Sequence, residues 1–264
     1  MYSYIHDLLS DRKGEVIFTC FGPWHLVCIG LFVALTTAVA LLLRGKDRKT
    51  KEKVMGILIA IPFGLYVLDF FLMPFAYEMI DIEKLPFHVC TAMCVACFFS
   101  RRIPFLRKFR IHFALLGFLS NLIYLIYPAG LMWYQVSPWC YRVIQTLLFH
   151  GTMTIYGFVT LVHSEESVSF KTCHRDLLVI TGMTLWALLG NTLYNGTAGS
   201  YSYFHNWFFV VEDPFGMFDP KISPWIMPEL NIVVFFAVEL VLILLFTLIR
   251  PNVSAETTAE REDA

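Results

Sequence analysis

Charge is scarce in this chain. Only 16% of its 264 residues are Asp, Glu, Lys or Arg, where a soluble domain carries about 25%. That shortage excludes an ordinary water-facing surface. With 57% hydrophobic residues and a mean hydropathy of +0.63, the composition points to a bilayer as solvent. An excess of positive charge is missing too, because 20 Lys and Arg meet 21 Asp and Glu. Without a broad positive field to neutralise phosphates, no nucleic-acid partner is expected. Repeated CxxC spacing is absent among the seven cysteines, where Cys94 and Cys97 form a single CxxC. Zinc-ribbon chemistry is therefore excluded, and those two read as small packing residues in a span. No cleavable leader is expected in residues 1–20, since Asp7, Asp11, Arg12, Lys13 and Glu15 interrupt the early apolar runs. The first span is expected to act as an uncleaved anchor.

What the chain does contain is long apolar segments. A spanning helix needs about 20 mostly apolar residues. Stretches near 24–43, 54–76, 86–100, 111–131, 142–163, 176–198 and 230–249 reach or approach that length. The third is short. Lys and Arg concentrate in 44–53, 101–110 and 164–175 and recur in the C-terminal tail, whereas the alternate connections hold few. Positive charge marks the cytoplasmic side. The expectation is thus an all-α, polytopic bundle of seven transmembrane helices, with the N-terminus outside and the C-terminus cytoplasmic. Residues 1–23 form an outer segment, 24–250 the membrane domain, and 251–264 a polar tail that reads as disordered. The aromatic outer loop 199–229 is expected to fold back as a lid, because non-helical backbone at the membrane must be buried or line a wet cavity.

Polar residues cluster in the outer half of these spans. Asp69, His88, Cys90, Asn121, His150 and Asn191 are each costly to bury alone in hydrocarbon, so they are expected to face the bundle interior and mark a site. His150 suits a general base, a metal ligand or a haem ligand, or else an interhelical hydrogen bond. His163, at the inner end of the same span, reads as interfacial. In LPFHVCTAMC, His88 and Thr91 share a helix face, whereas Cys90 points to another and shares its face with Cys94. Either His88 or Cys90 could meet His150 from the fifth span. A Cys90 nucleophile needs a base nearby, and without one it is an inert core thiol. Asn121 and Asn191 read as interhelical bridges or as amides orienting a ligand carbonyl or oxyanion. Asp69 is expected to be protonated or paired with His or Asn, and Glu239 to be a deep core acid. Cys20 and Cys140 both fall on the outer side, which allows a disulfide between them.

Three segments carry a family resemblance: LPFHVCTAMC, RVIQTLLFHGTMTIYGF with His150, and NWFFVVEDPFG with Asn206 and Asp213. In order and spacing they resemble the transmembrane protein 164 family, whose bacterial branch is called YwaF-like, over about residues 20–250. The resemblance implies a compact helical membrane bundle with its site built from the third, fifth and sixth spans. The animal branch of that family resembles an acyltransferase that places polyunsaturated chains on ether phospholipids through a cysteine nucleophile. That cysteine directly precedes the His of the third span. The matching position here is Phe87, followed by His88, with Cys90 two residues further on.

Together these features predict a multi-pass membrane enzyme acting on phospholipids by acyl transfer or hydrolysis, in the cell membrane if the chain is bacterial. His150, His88 and Cys90 are the candidate catalytic residues, with Thr91 as another nucleophile. Asn121, Asn191, Asn206 and Asp213 are the candidate substrate-binding residues. Membrane lipids are the expected partners, and neither metal nor cofactor is expected. A proton-coupled transporter using Asp69, His150 and Glu239 is an alternative, and haem binding through His88 and His150 is a variant of it. Neither an internal repeat nor paired Gly- or Pro-broken spans support transport. A non-catalytic scaffold, its polar residues serving helix packing, is the third reading.

Overall fold

The computed structural model describes residues 16–77, 85–132, 135–195, 206–211 and 225–249, and among them the regular structure is entirely helical. The helices are α1 (Pro23–Leu43), α2 (Arg48–Tyr77), α3 (Val89–Ser100), α4 (Pro104–Arg107), α5 (Arg110–Ile126), α6 (Ala129–Met132), α7 (Tyr141–His163), α8 (Cys173–Asn195) and α9 (Met227–Ile249). A short 3₁₀ turn at Trp207–Phe209 lies between α8 and α9. By length and apolar composition α1, α2, α8 and α9 can each cross a bilayer. They present Leu26, Val33, Leu42, Ile57, Leu185 and Val241 outward, as lipid-facing helices do.

Two expected spans differ from their apolar stretches. The third begins at Val89 rather than Pro86, and its 12 residues measure about 18 Å. The fourth breaks at Pro128 into α5 and the one-turn α6. A residue before proline is pushed out of helical geometry, and Tyr127 has φ −131° and ψ 81°. Hydropathy alone does not register that break.

Helix α7 is the hub. It packs against α1, α2 and α5, and 16 of its 23 residues are buried, among them Gln145, His150, Thr154 and Thr160. Its lower hydropathy follows from this position, since a helix enclosed by protein need not dissolve in lipid. Small residues let neighbouring backbones approach, as is common between membrane helices. Phe32 of α1 lies over Gly151, and a Cβ on Gly157 would sit 2.7 Å from Phe118 Cβ and 3.0 Å from its Cα. Backbone-linked atoms cannot swing away. Gly157→Ala is therefore expected to destabilise the protein by about 1–3 kcal/mol. Gly182→Ala, which meets nothing within 4 Å, is expected to leave it unchanged or slightly more stable. Thermal unfolding in detergent checks the pair, and equal melting temperatures would refute the close-approach account.

Candidate functional site at the His150–Asn121 pair

His150, in α7, and Asn121, in α5, are both buried and meet with Nδ1 2.8 Å from Oδ1. The orientation of Asn121 is determined by its other contact. Its Nδ2 lies 2.7 Å from the Gly117 carbonyl, and only an amide NH₂ can donate there. Oδ1 must then face His150, so His150 Nδ1 carries the proton and donates it. The neutral ring consequently has its lone pair on Nε2. Tyr124 stacks on the imidazole at 3.9 Å and 18°, and Phe149 meets it edge-on at 5.1 Å. Thr154 donates to the His150 carbonyl at 2.8 Å. Ring plane and tautomer are thus both set by neighbours, as in sites where an Asn or Asp orients a catalytic His.

The third-span candidates divide. Cys90 is partly buried and its thiol lies against the Ser120 hydroxyl, next in chain to Asn121. One segment of α5 therefore touches Cys90 through one residue and His150 through the next. Thr91 instead donates its hydroxyl to the His88 carbonyl at 3.0 Å. His88 caps the start of α3 and lies 6.3 Å from the Trp207 ring, on the side of Phe87 and the 3₁₀ turn.

Phe87 is enclosed by aromatics. It stacks on Trp186 at 5.0 Å and on Trp207 at 4.9 Å, meets Tyr194 edge-on, and covers Gly190 so closely that a Cβ there would come within 2.5 Å. Trp186 donates to the Pro86 carbonyl at 2.7 Å, which pairs a backbone oxygen outside any helix. Trp207 and Phe208 are themselves buried, and Phe208 and Phe209 have φ of 57° and 55°, a region unfavourable for non-glycine residues. Side-chain amides hold this turn in place. Asn191 accepts from Trp207 N–H at 3.0 Å and donates to its carbonyl at 3.2 Å, Asn231 donates to the Phe208 carbonyl at 2.7 Å, and Asn206 accepts from Val211 N–H at 3.0 Å. Asn191 is thereby occupied within the protein. Asp213 lies outside the described residues, as do much of the 199–229 loop and the C-terminal tail.

The model of the TMEM164 family matches residues 20–250 of the 264. The chain belongs to the TMEM164 family. No curated protein and no solved structure matches it. Family membership agrees with the apolar helices in making this a multi-pass membrane protein. In this TMEM164 chain His150 meets Asn121 of α5, Phe87 and His88 stand beside the Trp207 turn, and Cys90 packs between these two neighbourhoods.

Several other polar residues of the TMEM164 chain have structural partners. Asp69 is buried, as expected, and lies beside the Tyr141 hydroxyl. His163 is buried, with Nε2 2.9 Å from the Ala40 carbonyl. The disulfide allowed between Cys20 and Cys140 is not formed. Among the described residues no group of three His, Cys, Asp or Glu side chains is arranged to hold a metal ion. Sequence reasoning missed His25, which accepts from Phe21 N–H at 2.9 Å and donates to the Leu125 carbonyl at 2.8 Å. It also missed Ser120, Tyr124 and the buried pair His112–Asp176, whose atoms lie 2.6 Å apart. His25 had a signal, an ionisable residue beside an apolar run. Ser120 and Tyr124 had none, being unremarkable residue types in a span.

Proposed function

We propose that this TMEM164-family protein is an intramembrane lipid-modifying enzyme that transfers or hydrolyses phospholipid acyl chains. His150, held in one tautomer by Asn121, is the observation that carries the proposal, because a packing histidine does not require its ring and proton to be set by two side chains. In this scheme His150 Nε2 takes the Cys90 thiol proton, and the sulfur bonds to the acyl carbonyl carbon. The ester C–O bond breaks, and the leaving lysolipid oxygen receives the proton from His150. Water then completes hydrolysis, or a second lipid hydroxyl completes transfer. Cys90 is preferred to Thr91 because the Thr91 hydroxyl is committed to the His88 carbonyl. Asn206 and Asp213 are the candidates for head-group contacts. His88 stays a candidate through its place beside the Trp207 turn.

Two features support a lipid substrate. An apolar hollow of about 170 Å³ between α1 and the start of α7 is lined by Cys28, Leu31, Phe32, Leu147 and Leu148. Leu147 is one turn from His150, so an acyl chain there would lie beside the base. Seven spans with the N-terminus outside would place that hollow in the outer leaflet, following the positive charge of the 44–53 and 101–110 connections.

Mass spectrometry of lipid extracts tests the proposal. Wild-type protein is expected to shift the acyl composition of one phospholipid class relative to cells lacking it, and Cys90→Ala to abolish that shift. An unchanged lipidome with well-expressed wild type would refute lipid turnover. Full activity in Cys90→Ala would remove the thiol step alone.

A further inference from the structure

A second polar site lies nearer the opposite end of α5. His112 is nine residues from Asn121, about 14 Å along the helix. It borders an open hollow of about 360 Å³, lined also by Lys108, Glu166, Ser167, Thr172 and Arg175, where the α4–α5 and α7–α8 connections meet. We propose that this hollow binds a phosphate group through Lys108, His112 and Arg175.

Three observations converge. First, among the described residues neither Lys108 nor Arg175 forms an ion pair, so two cations border the hollow with no acid paired to either. Arg175 Nη1 donates to the Lys108 carbonyl at 3.4 Å, which keeps the guanidinium beside the lysine. The acid present, Glu166, lies within the field of Arg110. Second, His112 is 1% exposed, and its Nδ1 is 2.6 Å from Asp176 Oδ1, itself buried. Third, the other ring nitrogen of His112 has no hydrogen-bond partner among the described residues.

A surface excess of Lys and Arg on one side of a membrane protein accounts for Lys108 and Arg175 alone. It does not account for a buried histidine bordering the same hollow with a ring nitrogen unused. With Nδ1 on Asp176, the ring has only Nε2 left for the hollow, and in the imidazolium form that Nε2–H is a third charge-assisted donor next to the two cations. A phosphate monoester presents three acceptor oxygens and matches that set, whereas a carboxylate presents two. The hollow is open, so the phosphate can belong to a phospholipid head group or to a soluble ion, and both sources share this chemistry.

The test uses full-length protein in phosphatidylcholine nanodiscs, with thermal unfolding as readout. Inorganic phosphate is added in one arm, and phosphatidic acid is incorporated into the nanodisc in the other. Wild type is expected to gain melting temperature in at least one arm. The Lys108→Gln/Arg175→Gln double variant is expected to need at least tenfold more of the same probe for the same gain. Lys108 is exposed and Arg175 partly so, which leaves the fold intact in that variant. A response to phosphatidic acid alone supports a lipid phosphate, and a response to inorganic phosphate supports a soluble one. No gain in either arm, or equal gains in wild type and double variant, would overturn the site. Acyl turnover plays no part in the readout, so failure here leaves the His150 proposal standing.

Discussion

Replacing His150 with Ala is expected to slow acyl turnover by about 10²–10⁴-fold, the range a positioned general base contributes. The substitution removes both the proton acceptor and the partner of Asn121, whose buried Oδ1 is 2.8 Å from the imidazole. An orphaned buried acceptor destabilises a protein by about 1–3 kcal/mol, so loss of activity in the alanine variant could reflect folding. His150→Gln separates the two effects. A glutamine amide can still donate toward Asn121 but cannot take a proton at neutral pH. Turnover lost in both variants, with His150→Gln melting near wild type, supports the base. Turnover retained in His150→Gln would eliminate His150 as the proton acceptor, whatever the alanine variant does. Asn121→Leu is expected to fall between, since it frees the ring to change tautomer without removing it.

Phe87→Ala is expected to destabilise the protein by about 3–5 kcal/mol, as for other buried Phe→Ala substitutions. The ring is 7% exposed and fills the space between Trp186, Trp207 and the bare face of Gly190. Gly190 has no side chain to follow it into that space, the Trp186 indole is tied to the Pro86 carbonyl, and the Trp207 backbone is tied to Asn191. Phe87→Leu should lose less, since most of the volume remains. Unfolding of the purified variants in detergent measures both. A Phe87→Ala protein as stable as wild type would show that the aromatic stack does not support the junction of α3 with α8. Position 87 is thus a packing site in this chain, and Cys90 packs against both that cluster and the one around α7.

Apolar length made most of the bundle legible. Runs such as PWHLVCIGLFVALTTAVALLL bury few of their side chains and are matched by long helices, because hydrocarbon selects for an apolar surface wherever a helix meets it. Interruptions were legible only in part. Pro128 splits the fourth stretch and the third helix starts late at Val89, since backbone geometry rather than hydropathy decides where a helix ends. The candidate site was legible residue by residue but not pair by pair. His150 and Asn121 each stood out as polar groups in hydrocarbon, and each needs a partner there. Their partnership depends on the rotation of α5 against α7, which the contact of Gly157 with Phe118 and Ala114 sets.

Composition and pattern by themselves determined that this is an all-helical membrane protein, that its polar residues lie within its spans, and that it resembles one family. Those properties follow from solvent: every residue exposed to lipid must be apolar, and every exception is visible against that background. Tertiary structure alone decided which exceptions meet. It placed Cys90 beside Ser120, gave His150 its tautomer through Asn121, used Asn191 to hold the Trp207 turn, and turned His112 toward a basic hollow. Helix rotation and axial offset carry that information, and both arise from close packing between residues distant in the chain.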